Sequence, residues 1–140
     1  MSGPIQISLK AGERIYLNGA VVRADRKVTL QLLNDVVFIL ESHVMQAEET
    51  TTPLRQLYFV VQALLMDPRN TEATRDLFRH MHASTMASFT SETVRAELNA
   101  IAGLVESDSA FEALKRLRAL FPHEDAILDG SAVRRPSRAA

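Results

Sequence analysis

The chain has 140 residues, 46% of them apolar and 24% charged, an ordinary globular composition that excludes disorder throughout. One body of this length buries roughly 68% of its unfolded surface, so one domain or at most two small ones are expected. A formal net charge of -1 is not that of a polycation, so any nucleic-acid surface must be local; the lack of cysteine removes a disulfide framework, a thiolate zinc site and a cysteine nucleophile together.

Residues 5–40 read as strands. Ile5, Ile7 and Leu9 alternate with Gln6, Ser8 and Lys10, and Ala11 and Gly12 then mark a turn before residues 14–17. Asn18 and Gly19 tolerate the positive φ angles of a type I′ turn and predict a hairpin with residues 20–23. A turn at residues 24–26 leads into Val28, Leu30 and Leu32, and Asn34-Asp35 separates these from a last strand over 36–40. The expectation is an antiparallel meander of about five strands. Residues 46–52 are polar and acidic and read as a connector between a β part and an α part.

After the connector the period becomes helical. Thr52 is placed to cap, Pro53 suits the first helical position, and Leu54, Leu57, Tyr58, Val61 and Leu65 recur on one face until Asp67-Pro68. A second helix is expected from Glu72 to about Phe89 with Leu77, Phe78, Met81 and Phe89 inward. Ser91 opens a third, carrying Val94, Leu98, Ile101 and Val105. Ser109 and Glu112 have capping-box spacing for a fourth, with Phe111, Leu114, Leu117 and Phe121 inward until Pro122. The fold class is therefore α+β: an N-terminal β subdomain over 1–45, a four-helix subdomain over 46–129 and a disordered basic tail over 130–140. No apolar run approaches the roughly 20 residues of a membrane span, and with no cysteine a cytoplasmic protein without membrane contact is expected.

The residues assemble no catalytic constellation. His80 and His82 are two apart, which on a helix points them roughly 200° from each other, whereas a metal pair needs a spacing of three or four. Glu48 and Glu49 are adjacent carboxylates in a polar connector with nothing apolar around them to raise a pKa. With five glycines, no phosphate-cradling loop or nucleophile elbow is present. A protein that is not an enzyme and carries no metal or cofactor is expected.

Charge is more informative in its distribution than in its sum. Residues 1–45 carry five basic side chains against four acidic, residues 46–130 carry eight against thirteen, and Arg134, Arg135 and Arg138 follow. Lys10, Arg14, Arg23, Arg26 and Lys27 gather near strand ends and turns, where they either contact phosphates or serve as the charged edge that keeps sheets from aggregating. Tyr16, Tyr58 and Phe59 are candidates for stacking a base or for the core.

The run from Leu9 to Val21, then Val44 to Pro53, then Tyr58 to Gln62 resembles the FlbT family of flagellum biosynthesis repressors. The likeness covers about residues 5–125. Gly12, Glu13, Arg14, Asn18 and Gly19 carry the family hairpin; Glu48, Glu49, Thr52, Pro53, Tyr58, Phe59 and Gln62 carry the connector and first helix. The chain departs from the family pattern at Phe38-Ile39-Leu40-Glu41, where an arginine is expected, at His43 and at Thr50.

The resemblance implies a post-transcriptional regulator that binds the 5′ untranslated region of flagellin mRNA and promotes its decay or represses its translation, alongside the partner FlaF. It directs the RNA-binding expectation to Lys10, Arg14, Arg23, Arg26 and Lys27. The competing expectation is an adaptor that acts through FlaF or flagellin, with the helical half as its working surface. A weaker likeness to the carbon-storage regulator CsrA, resting on the Gly12-Glu13 turn and the strand rhythm, makes a homodimer through the β part an expectation.

Overall fold

The computed structural model describes residues 5–34, 36–69 and 71–139, with side chains to residue 129. Five strands, β1 (Ile5–Leu9), β2 (Arg14–Leu17), β3 (Ala20–Arg23), β4 (Val28–Leu32) and β5 (Phe38–Leu40), precede two 3-10 turns at Glu41–His43 and Ala47–Glu49. Four helices follow: α1 (Pro53–Met66), α2 (Thr71–Ser88), α3 (Glu92–Glu106) and α4 (Ala110–Ala139). The class is α+β, as expected, with all strand pairs antiparallel.

The pairing order is not that of a simple meander. β1 pairs with β4, and β2 lies between β3 and β5 in a separate sheet. The reason is burial: Ile7 and Leu9 find cover opposite Leu30 and Val28, and the two sheets close on a small core of Ile7, Leu9, Ile15, Ala24 and Phe38. A two-stranded ribbon alone is marginal in water, so this shared core is what holds β1 and β4 in place. β5 starts at Phe38 rather than Val36. Its successive residues face opposite ways, so Phe38 enters the β core while Ile39 enters the helical core.

α1 is the axis of the helical half. Thr52 Oγ1 accepts from Arg55 N at 3.2 Å, Pro53 occupies the first turn, and Leu54, Leu57, Tyr58, Val60, Val61, Gln62, Leu64 and Leu65 are buried against α2, α4 and β5. Residues buried around so much of a helix require neighbours on most sides, each large apolar side chain contributing about 1.5–3 kcal/mol. α3 opens on Ser91, whose Oγ accepts from Val94 N at 3.3 Å, and buries Val94, Leu98, Ile101 and Val105 as their spacing predicts.

Three expectations for the helices are corrected. α4 does not stop at Pro122: the buried Glu124, two residues beyond, is bonded to Thr52, Leu54 and Arg55 and holds the helix against α1 despite the proline. Leu77 is 51% exposed, because α2 meets its neighbours through Phe78 and Thr85 and the residue before Phe78 is rotated to solvent. Phe111 is 37% exposed and lies over Phe38, ring centroids 4.8 Å apart, rather than among the helices. The side chains from residue 130 onward, where the sequence predicts an unstructured basic tail, lie outside the described residues.

Candidate nucleic-acid interface

Strand register gathers the five basic residues at one end of the β half. Arg14 is the cross-strand partner of Arg23, so the two guanidinium groups start from neighbouring Cα positions on one face. Lys10 and Lys27 stand just beyond the Leu9 and Val28 pair that closes the β1–β4 ladder. Two backbone bonds stitch these ladder ends together, Gly12 N to Ala24 O at 2.7 Å and Ala24 N to Glu13 O at 2.9 Å. Arg26 lies on the turn that follows. All five side chains belong to exposed residues.

The turn is built for this arrangement. Gly12 has φ of +85°, a region where an L side chain is strained, and Glu13 Oε1 accepts from Lys10 N at 2.8 Å to close the loop. Like charges opposite each other cost stability, and Glu41 offsets this: its Oε1 accepts from Arg14 N at 2.9 Å and its Oε2 lies 3.9 Å from Arg14 Nε. Arg26 Nε is 3.5 Å from Asp25, both side chains more than 80% exposed, a pairing that water and salt readily exchange for a phosphate. Lys10, Arg23 and Lys27 have no ion pair among the described residues.

The remaining motif residues do other work. Asn18 and Gly19 form the hairpin tip with φ of 53° and 91°, and the tip faces the helical half: a Cβ at Gly19 would stand 3.5 Å from Pro68. Tyr58 is buried and donates its hydroxyl to His43 O. Gln62, 3% exposed, clamps the connector at both ends of one residue, accepting from Met45 N and donating to Met45 O, each at 2.8 Å. These side chains satisfy connector backbone groups that have no strand partner. Glu49 caps its own 3-10 turn through Gln46 N at 2.7 Å, and Glu48 is exposed. Phe59 is 38% exposed at an apolar cleft of about 470 Å³ that also touches Tyr16, Met45 and Met66.

Spacing alone could not find the most elaborate polar cluster. Glu124 is 1% exposed; its carboxylate accepts from Thr52 Oγ1 at 2.6 Å, Leu54 N at 2.9 Å and Arg55 Nη1 at 2.9 Å, and Arg55 also reaches Asp125 at 3.1 Å and stacks over Phe121. It caps α1 from α4, across about seventy residues of chain. His80 and His82 bond to carbonyls of Asp76 and Leu98 at 3.0 and 2.9 Å. Among the described residues no three His, Asp or Glu side chains stand close enough to hold a metal ion, and no helix is long and apolar enough to cross a membrane.

The profile of a family described as "Flagellar protein FlbT" matches residues 5–128. A Bradyrhizobium diazoefficiens protein named "Probable flagellum biosynthesis repressor protein FlbT 2" is 52% identical over 136 residues, 97% of this chain and 100% of its own length. A Chelativorans relative with the corresponding name is 50% identical over 91% of this chain and 88% of its own length, and one from Agrobacterium fabrum is 49% identical over 91% and 86%. No solved structure matches.

Proposed function

Because the chain belongs to the FlbT family of flagellar proteins, we propose that it represses flagellum biosynthesis by binding the 5′ untranslated region of flagellin mRNA, so that the message decays or is not translated. The observation that carries the RNA half of this reading is the convergence of Lys10, Arg14, Arg23, Arg26 and Lys27 at one end of the β half, four of them on ladder ends that backbone bonds hold together. Fixed cations of this kind track the phosphates of a single strand, leaving the bases free to be read. The helical half carries the acidic excess, eight basic against thirteen acidic side chains over residues 46–130, so its charge repels the RNA backbone and favours docking through the β half.

The test is direct. Purified protein is titrated with a flagellin leader and with a scrambled RNA of equal length at two salt concentrations. Leader-selective binding that weakens with salt supports the reading. A second reading is favoured by Phe59: an exposed aromatic beside a 470 Å³ apolar cleft suits an adaptor for FlaF or flagellin, acting on expression indirectly. Absence of RNA binding, with regulation lost on Phe59→Ser, selects that alternative.

A further inference from the structure

Four arginines of the described residues are half-buried: Arg55, Arg75, Arg95 and Arg118. A buried guanidinium demands acceptors, and three of them have strong ones, although Arg75 Nε is left buried without a partner among the described residues. Arg55 meets Glu124 and Asp125, Arg75 meets Asp108, and Arg95 meets the carbonyls of Met86 and Phe89. Arg118 differs. Its sole hydrogen-bond partner among the described residues is the Tyr58 hydroxyl, 3.1 Å from Nη1, and that hydroxyl has already given its proton to His43 O.

Arg118 lines a cleft of about 220 Å³ between the connector and α4 together with Ser42, His43, Glu49 and Phe121, and none of its nitrogens is buried without a partner among the described residues, so its unspent donors remain open to a ligand. Neither Ser42 Oγ nor the His43 ring has a hydrogen-bond partner among the described residues. Burial, and then the charge of Arg118, lower the His43 pKa below its ordinary 6.5, so at neutral pH the ring is an uncharged donor beside a cation. Glu49 bears the opposing charge, but one of its oxygens is committed to Gln46 N.

We propose that this cleft binds a phosphate group, with Arg118 supplying the charged fork and Ser42 and His43 supplying neutral donors. A planar guanidinium with most of its donors unspent matches two phosphate oxygens, and the hydroxyl and imidazole reach others. The phosphate is either the free ion or part of an RNA strand; the second source rests on the function proposed above. Geometry links the two regions, since Glu41, bonded to Arg14, opens the same 3-10 turn that presents Ser42 and His43.

The experiment follows the His43 ring resonances of the full chain by NMR as inorganic phosphate is added, with chloride at matched ionic strength and acetate as controls. Phosphate gives a saturable shift in the millimolar range that chloride does not. Arg118→Gln weakens it by at least about tenfold and Ser42→Ala by about threefold. Arg118→Lys keeps the charge but loses the fork, and weakens binding while holding the fold if Arg118→Gln does not. No saturable response in the native chain, an equal response to acetate, or unchanged affinity in both Ser42→Ala and Arg118→Lys overturns the site. A leader RNA that displaces phosphate from His43 identifies the strand as the source; RNA that leaves the phosphate signal intact, or that does not bind, identifies the free ion, so the two proposals fail separately.

Discussion

Glu124 ties the start of α1 to α4. Three donors on Thr52, Leu54 and Arg55 converge on one buried carboxylate, so Glu124→Ala strands the Thr52 hydroxyl and a helix N-terminal amide and leaves the half-buried Arg55 guanidinium only the exposed Asp125. Removing one partner of such a pair costs about 3 kcal/mol, and urea denaturation should show a loss of that size with leader affinity unchanged once the protein is folded. His43 sets a pH dependence of the opposite chemical kind. Its folded pKa lies below the ordinary 6.5, so the unfolded chain takes up the proton first as pH falls. Stability should therefore be flat above about pH 7 and decline through the window below 6.5 until the folded pKa is passed; His43→Gln should remove that slope, and an unaltered slope would refute the assignment. Arg118, Glu49 and Tyr58 share the cleft with His43.

At the scale of elements, turns and caps carry their own instructions. Asn18 and Gly19 adopt the positive φ angles their chemistry invites, Thr52 and Ser91 cap the helices they precede, and α1 to α3 fall within a residue or two of the periodicity that predicts them. Gly19→Ala should cost about 1 kcal/mol through its φ of +91° alone, because Pro68 is at ordinary contact distance; a thermal melt checks it, and an unchanged Tm would place the tip in a different conformation. What spacing does not reveal is contact across the chain. The pairing of β1 with β4 depends on which ladder best buries Ile7 and Leu9. The passage of α4 beyond Pro122 depends on Glu124 meeting residues seventy positions earlier. Arg118 resembles any surface arginine of an amphipathic helix until Tyr58 is placed beneath it.

For the whole molecule, the question is whether the basic end of the β half is a working surface. Its five residues were legible from their positions near turns, and the register adds that they converge; that they contact RNA is a matter of function, not of fold. Arg14 and Arg26 are exposed and contribute little to packing, so the Arg14→Gln, Arg26→Gln double variant should change stability by less than about 0.5 kcal/mol. Each lost phosphate contact should flatten the logarithmic salt dependence of RNA affinity by about 0.7. The measurement that tests the account most directly is the affinity of the purified native protein for a flagellin leader against a scrambled RNA of equal length, at two salt concentrations, with the double variant in parallel. The account predicts leader-selective, salt-sensitive binding that the double variant loses in large part while staying folded; equal, weak binding to both RNAs, or an unaffected double variant, would contradict it.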